Sequence, residues 1–334
     1  MSNKTKIFFG ITLATLVFTN FLFSENIKYG QTGFQFLSVT PEARAAAMAE
    51  AVTATDMYSS SVFYNPACLA NMDKFMDITL SRNSWIAGIE HNNLSFALNP
   101  FGGRFGTIGV SYQGVNYGEI QGTAVSPVNP SGYILTDIIT PTANAIGISY
   151  AKKLTDRFAV GGQVKKVTQD FGNMVISASE ISDSTTVVNY SSSPWALDFG
   201  TIFNTNFKSL KFGMSVRNFS QEVQYENEGF QLPLVFTMGI SADLMDFTPL
   251  GKHHSLILNI DASHFRARPE QIKLGLEYTL MDFLSLRTGY ANNMKETDLS
   301  FGMGLSVLGL TFDYAFIPFD SFDAVQIMTL RFKI

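Results

Sequence analysis

The chain has 334 residues and a formal net charge of −5, with 15% charged and 13% aromatic residues. So few charges are unusual for a water-soluble surface. The chain also has no Lys/Arg-rich block and therefore lacks the electrostatic footprint of a nucleic-acid-binding protein. After residue 24, no apolar run reaches the roughly 20 residues that a membrane-spanning helix needs. The composition favours membrane-spanning strands that each have one lipid-facing side.

Residues 1–24 have the three-part layout of a secretory signal peptide. Lys4 and Lys6 form a short basic start, residues 7–23 are mostly apolar, and Ser24 is a small residue at the predicted cleavage site. The alternative, an N-terminal membrane anchor, would need a longer or cleaner apolar span. The only cysteine is Cys68, which excludes a lipoprotein signal and an internal disulfide. We therefore expect an exported protein.

Residues 25–75 differ from the rest of the chain. The Ala-rich stretch at 43–51 is typical of a helix. The pair Asn65-Pro66 predicts a stop, because the residue before a proline is disfavoured in the helical region. A partly helical segment therefore precedes a chain whose pattern is that of strands.

From residue 76 onwards, apolar and polar residues alternate with the period of two that predicts β-strands. For example, Leu274 and Leu276 alternate with Lys273, Gly275 and Glu277. We predict fourteen strands, most of them about ten residues long, the length that a tilted strand needs to cross a bilayer. They are residues 76–82, 86–98, 104–113, 143–152, 157–168, 194–204, 209–219, 232–243, 255–264, 271–280, 284–292, 298–307, 309–317 and 324–333.

The predicted connections alternate between short turns and long polar loops. Residues 154–156 and 281–283 are short turns, whereas residues 114–142 and 169–193 are long loops. Outer-membrane barrels have an even strand number, short periplasmic turns and long outer loops. We therefore predict an all-β fold, a 14-stranded antiparallel transmembrane β-barrel over residues 76–334, with both chain ends on the periplasmic side. A longer connection at 243–254 breaks the alternation.

Eight charged residues lie opposite the apolar face of their strands, so we predict that they point into the lumen. Cross-strand ion pairs that neutralise the lumen explain them better than catalysis does. No metal-ligand spacing and no Gly-x-Ser-x-Gly motif occurs, so we predict no enzyme activity, no metal site and no cofactor. The eight residues are Asp198, Lys211, Arg217, Asp261, Lys273, Glu277, Arg287 and Asp313. On the last strand, Leu330 and Phe332 lie on the apolar face, and we expect this strand to close the barrel.

A 14-stranded barrel is wide enough that its lumen must hold water, a ligand or a plug. Residues 25–75 carry apolar side chains, such as Phe34 and Phe63, that would lie in water if the segment were a loose periplasmic tail. We therefore predict a small, partly helical plug, or hatch, inside the barrel. Its key residues are predicted to be Arg44, Ala45, Ala46, Ala49, Tyr64, Asn65 and Pro66.

Three stretches resemble the amino-terminal signature of the PorV/PorQ family, within the wider FadL-like group of 14-stranded outer-membrane barrels. They are GFQFLSVTPEARAAAMAEA, SSVFYNPACLA and SRNSWIAGIEHNNLSFAL. The similarity is strongest over residues 30–120, and the resemblance implies an N-terminal hatch inside the barrel. Two places depart from the family pattern: Ala49 and Glu50 stand where a glycine usually follows the alanines, and Cys68 stands where glycine is common.

Two functions remain open. The PorV/PorQ resemblance implies a non-enzymatic accessory of type IX secretion, which receives or shuttles secreted proteins and whose partners are their signal domains and other secretion subunits. The FadL-like hatch implies the alternative, uptake of hydrophobic small molecules such as long-chain fatty acids. Either function places the protein in the bacterial outer membrane, in contact with lipid. The sequence does not separate them.

Overall fold

The computed structural model describes residues 32–334 except 180–181, 226–227, 249–252 and 295–296. The predicted signal peptide and the start of the predicted plug segment lie outside the described residues. Among the described helices, none is both long and apolar enough to span a membrane.

Nineteen strands lie in the described part of the chain, and fourteen of them close into a barrel. In chain order they are β1 (Met76–Ser84), β2 (Glu90–Leu98), β3 (Thr107–Asn116), β4 (Ile120–Val125), β5 (Tyr133–Ile139), β6 (Thr142–Lys153), β7 (Phe158–Ser177), β8 (Thr185–Ser192), β9 (Trp195–Asn204), β10 (Lys211–Ser220), β11 (Val223–Gln224), β12 (Gly229–Phe230), β13 (Val235–Asp243), β14 (His254–Phe265), β15 (Gln271–Leu280), β16 (Leu284–Ala291), β17 (Leu299–Val307), β18 (Leu310–Ile317) and β19 (Val325–Lys333).

The barrel omits β4, β5, β8, β11 and β12, and each of its strands pairs with the next one along the chain. Strands β1 and β19 close the ring in an antiparallel register that sets Leu80 opposite Leu330 and Ile78 opposite Phe332. The prediction of a 14-stranded antiparallel transmembrane barrel is confirmed. Leu330 and Phe332 lie on its closing strand with exposed side chains.

The two longest predicted loops contain strands that the sequence pattern did not indicate. Strands β4 and β5 form a hairpin between β3 and β6, and β7 continues well past its predicted end to pair with β8. These additional strands lie at the end of the barrel where the long connections are. We name this end the long-loop end. The opposite end, with turns such as 154–157, is the short-turn end.

Side chains alternate across the barrel wall as the period of two predicts. On β15, Leu274 and Leu276 are exposed on the outer face, whereas Lys273 and Glu277 are buried on the inner face. Because lipid replaces water around a membrane barrel, exposed leucine is stable on the outer face, and the polar residues line the interior. The wall therefore has an apolar outer belt and a polar lumen.

The predicted Ala-rich helix is much shorter than expected. Helix α1 spans only Ala43–Ala46, and the Glu42 side chain caps it by accepting a hydrogen bond from the Ala45 amide at 2.7 Å. It stops soon afterwards because Ala49 and Glu50 adopt left-handed φ angles of 50° and 61°, a conformation that favours glycine. Within the described residues, the remaining helical segments are 3-10 turns: Gln35–Ser38, Tyr58–Phe63, Pro66–Asn71, Ile86–Gly88, Pro100–Gly103 and Leu244–Phe247.

The described part of the amino-terminal segment passes through the lumen from one end of the barrel to the other. Thr32 forms a parallel bridge with Gln231, in the long connection between β10 and β13, so the described part of the segment begins at the long-loop end. It then runs through the lumen to Met76 at the short-turn end, where Ile334 also lies and donates its amide to the Met76 carbonyl at 3.0 Å. Ile334 therefore lies at the short-turn end, whereas the amino terminus, which we also predicted to lie on that side, is outside the described residues, and its position stays a prediction.

Candidate functional site: a plugged lumen with two mouth cavities

The plug, residues 32–75, fills the lumen with small and apolar side chains. Most residues from 43 to 72 are buried. Met48, Val52 and Leu69 belong to one hydrophobic cluster, which also contains inward-facing alanines of the wall. Because a packed interior has few voids larger than a water molecule, the lumen is closed at this level.

Inward-facing glycines let the plug backbone lie directly against the wall. A Cβ atom added at Gly275 would come within 2.8 Å of the Met48 Cβ atom, and one added at Gly109 within 2.9 Å of Val62 Cγ1. Both distances are shorter than the roughly 3.5–4.0 Å at which carbon atoms pack. Other inward glycines face the plug in the same way: Gly161, Gly200, Gly213, Gly239, Gly289 and Gly302. The sequence analysis placed Gly275 on the polar face of its strand but did not identify the inward glycines as a docking surface.

Side chains of the barrel wall form hydrogen bonds with backbone groups of the plug. Its turns are too short to pair all their own amides, and a buried amide without a partner is costly. The Asp261 carboxylate accepts hydrogen bonds from the Val52 and Thr53 amides at 3.1 and 3.0 Å. Asn93 on β2 donates to the Pro41 carbonyl at 2.9 Å. The plug is therefore held by specific polar contacts as well as by packing.

A chain of four buried charges links the plug to three strands. Arg287 donates to Glu277 at 2.5 Å and to Asp313 at 2.7 Å, and Arg44 of the plug donates to Glu277 through Nε at 2.8 Å and Nη2 at 2.6 Å. Glu277 and Arg287 lie directly opposite each other on β15 and β16. A buried carboxylate with two guanidinium partners is well compensated, whereas the loss of one partner is expensive. Arg44 therefore connects the plug electrostatically to the wall.

A second buried ion pair fixes the turn after α1. Lys273 donates to Glu50 at 2.9 Å, and Glu50 also accepts a hydrogen bond from Thr40. Burial alone would raise the pKa of Glu50, but Lys273, Arg217 and Thr40 outweigh it and lower this pKa to about 2. Glu50 is therefore a stable anion at neutral pH, held in a left-handed conformation by its ion pair.

The structure places the other predicted lumen charges as follows. Asp198 pairs with Lys165 at 2.7 Å, and Lys211 pairs with Asp56 of the plug. Arg217 donates to the Phe63 carbonyl at 2.7 Å. Five of the eight charges thus contact the plug directly; they are Lys211, Arg217, Asp261, Lys273 and Glu277.

The predicted plug residues are brought together inside the barrel. Ala45 and Ala46 are buried on α1, and the Ala49 amide donates to Ser300 at 3.1 Å. Tyr64 is buried beneath the Arg217 guanidinium, which lies 5.8 Å from its ring centre. Asn65 separates two 3-10 turns and donates to the Thr53 and Thr201 carbonyls at 2.8 and 3.0 Å. Pro66 follows it, buried near Gly161 of the wall.

Two cavities open above the plug at the long-loop end. The apolar mouth cavity has a volume of about 500 Å³, and its floor is formed by Ala46, Ala49 and Glu50 of the plug. Its walls include the rings of Trp85, Phe265 and Phe319 and the side chain of Ile317. The second cavity, the aromatic cleft, has a volume of about 890 Å³. Gln35 borders both, because residues 32–40 pass between them.

Comparison with known proteins identifies the fold. A scan of family models finds no match, and a search of curated proteins finds no significant relative. Among solved structures, the Ralstonia pickettii toluene transporter TbuX is 12% identical with a TM-score of 0.59 over 88% of this chain and 98% of that chain. The Pseudomonas putida toluene transporter TodX is 11% identical with a TM-score of 0.56 over 92% and 98%.

A FadL homologue from Pseudomonas aeruginosa has the same fold, with 10% identity and a TM-score of 0.52 over 88% of this chain and 98% of that chain. At such low identity the likeness concerns the fold alone. The chain therefore has the FadL-like architecture, a 14-stranded barrel with a small amino-terminal plug.

Proposed function

We propose that this protein is a non-enzymatic outer-membrane channel for hydrophobic small molecules. The apolar mouth cavity carries the proposal, since it combines an aromatic and aliphatic wall with a floor made by the plug. Ligand sites are typically concave, mostly apolar and about 300–1,000 Å³ in volume, and this cavity falls within that range. A molecule bound there lies directly on Ala46 and Ala49, so movement of the plug would open its path into the lumen.

The similar structures favour the transport function over the secretion function. Two of them are toluene transporters by name, and the aromatic and aliphatic residues of the mouth cavity offer the apolar contacts that such a ligand requires. The ligand class is therefore a hydrophobic small molecule, such as a long-chain fatty acid or a monoaromatic hydrocarbon. Membership of the PorV/PorQ family and a role in type IX secretion stay predictions from the sequence resemblance.

Tryptophan fluorescence can test ligand binding directly. The chain has two tryptophans: Trp85 lines the mouth cavity, 5.6 Å from the Phe319 ring, and Trp195 is exposed on the outer wall. In a Trp195→Phe variant, a monounsaturated C18 fatty acid or toluene should change the Trp85 emission saturably. Trp85→Phe, which leaves only Trp195, should show no saturable change.

A charged residue introduced into the cavity wall tests the binding site, and the same residue introduced elsewhere is its matched control. Ile317→Asp in the Trp195→Phe background should weaken binding at least about tenfold, because the carboxylate must lose its hydration beside an apolar ligand. Val128→Asp introduces the same charge at an exposed loop position and should bind normally. A folded protein that responds to neither ligand, or an Ile317→Asp variant that binds normally, would refute this site.

Cysteine labelling tests the proposed orientation in the outer membrane. In a Cys68→Ala background, a membrane-impermeant maleimide added to intact cells should label Ser131→Cys and Ser184→Cys, which are exposed at the long-loop end. It should not label Lys208→Cys, which is exposed on a short turn, although all three should react after lysis. Labelling of Lys208→Cys in intact cells would reverse the orientation.

A further inference from the structure

The aromatic cleft at the long-loop end differs chemically from the apolar mouth cavity. It is bordered by the start of the plug, the extension of β7 beyond the barrel, and the connection that contains β11 and β12. Its 890 Å³ lies within the range of small-molecule sites, about 300–1,000 Å³. Gln35 is the one residue that borders both cavities, and the aromatic and aliphatic wall residues of the apolar mouth cavity do not contribute to the cleft.

Four aromatic rings hold one another in place along the cleft. Tyr225 and Phe230 are stacked with their ring centres 5.3 Å apart, and Phe171 stands edge-on to Tyr225 at 5.6 Å. Phe34 of the plug lies 6.0 Å from Phe230. Such offset and edge-to-face arrangements are the preferred aromatic geometries. The cluster therefore forms a pre-organised flat apolar surface rather than a set of independent side chains.

Polar groups next to these rings have no partner within the described part of the chain. The side chains of Gln169, Gln231 and Glu222 line the cleft, and none of them forms a hydrogen bond there. The Tyr225 hydroxyl is buried and also unpaired among the described residues. An unsatisfied buried hydroxyl costs about 1–3 kcal/mol; because the Tyr225 oxygen is not accessible to solvent, a ligand gains this energy only if the Tyr225 ring shifts to meet it.

The Tyr225 hydroxyl remains neutral over the ordinary pH range. Burial raises the pKa of Tyr225 to about 12, and nearby Tyr117 and Asp170 act in the same direction. A neutral phenol can both donate and accept a hydrogen bond, as a glutamine side chain can through its separate amide groups. The cleft therefore offers paired donors and acceptors beside a flat apolar surface.

We propose that the aromatic cleft is a carbohydrate-binding site for a neutral or amino-containing oligosaccharide. A pyranose ring has an apolar C–H face that can lie on an aromatic ring, and its hydroxyl groups can donate to Glu222 and exchange hydrogen bonds with Gln169, Gln231 and Tyr225. The site is independent of the proposed transport function, since it shares none of the residues tested there.

Two other ligand classes match the cleft less well. A hydrocarbon would cover the amide groups and the Tyr225 hydroxyl without satisfying them, which is unfavourable. A quaternary ammonium ion can also lie on an aromatic face, but it has no hydrogen-bonding group for the phenol or the amides. A polyhydroxylated ligand satisfies all of these groups.

Binding of free oligosaccharides by the purified full chain tests the proposal. A polyoxyethylene detergent is required, because the head group of a maltoside detergent is itself a sugar. An array of neutral, amino-containing and acidic oligosaccharides should identify ligands from the first two classes, and titration calorimetry should then give saturable binding. Acidic sugars should bind least, because the two carboxylates of Glu222 and Glu228 outnumber the single guanidinium of Arg266 at the border of the cleft.

Two shape-conserving variants connect the binding to the cleft. Tyr225→Phe and Gln169→Met should each weaken binding about five- to tenfold, the effect of one hydrogen bond. Tyr133→Phe, which removes the hydroxyl of an exposed hairpin tyrosine, and Trp85→Phe in the apolar mouth cavity should bind normally. Failure to bind any oligosaccharide, stronger binding of choline than of sugars, or normal binding by both cleft variants would each overturn the proposal.

Discussion

Replacing Arg44 by methionine should loosen the plug by about 3 kcal/mol, the lower end of the cost of breaking a buried ion pair. Arg44 is largely buried and donates two hydrogen bonds to Glu277. Methionine keeps most of the packing but removes the charge, so Glu277 retains only Arg287. We take the lower end of the range because of that remaining partner.

Hydrogen exchange measured by mass spectrometry can detect this change directly. Peptides that cover residues 43–69 should exchange about 100-fold faster in Arg44→Met than in the unchanged protein, since about 1.4 kcal/mol corresponds to a factor of ten. Barrel-strand peptides remote from the plug should be unaffected, because their hydrogen bonds lie between strands. A uniform increase over the whole chain would indicate global destabilisation instead.

The exposed pair Arg82–Glu90 provides the matched control. Its two side chains approach to 2.5 Å, close to the 2.6 Å of Arg44–Glu277, but they are 62% and 39% exposed instead of 11% and 4%. Exposed pairs contribute only about 0–1 kcal/mol, so Arg82→Met should leave plug exchange unchanged. Equal effects of Arg44→Met and Arg82→Met would show that the buried pair does not hold the plug.

Deletion of residues 30–70 should convert a closed barrel into an open one. The fourteen barrel strands pair with one another in a complete ring, so the deletion removes none of the hydrogen bonds that close it. The lumen would then expose inward glycines and charged groups, a surface that water can wet. We expect a heat-modifiable barrel on gels whose single-channel conductance in planar bilayers rises from near zero to a steady open level.

A deletion in an outer loop distinguishes the effect of the plug from that of the outer loops. Replacing residues 126–132, the tip of the β4–β5 hairpin, by a short turn removes exposed chain without changing the lumen. This variant should remain closed. If the plug deletion is also closed, the loops or the wall must block the lumen, and residues 30–70 would be better explained as a docking segment.

The sequence alone was sufficient to predict the strands of the barrel wall and the faces of their side chains. Alternation of Leu274 and Leu276 with Lys273 and Glu277 is a local property, because successive side chains of a strand point to opposite faces whatever the strand pairs with. The fourteen strands and their lipid-facing sides follow from that rule, whereas the hairpin of β4 and β5 was missed because Ile120–Val125 and Tyr133–Ile139 lack a clean alternation.

Only the tertiary structure decided how the plug and wall recognise each other. The sequence predicted ion pairs between neighbouring strands, and Glu277 with Arg287 is one, but it did not indicate that Arg44 and Glu50 of the plug bind Glu277 and Lys273. These partners are separated by 233 and 223 residues, and no local pattern encodes so distant a contact.

The course of the plug likewise depends on packing. The Ala-rich stretch favours a long helix by intrinsic propensity, yet the structure has one helical turn followed by left-handed Ala49 and Glu50. The Glu50–Lys273 ion pair and the close approach of the plug to Gly275 and Gly289 fix this path. Propensity differences are only about 0–1 kcal/mol per residue, so contacts made inside the lumen outweigh them.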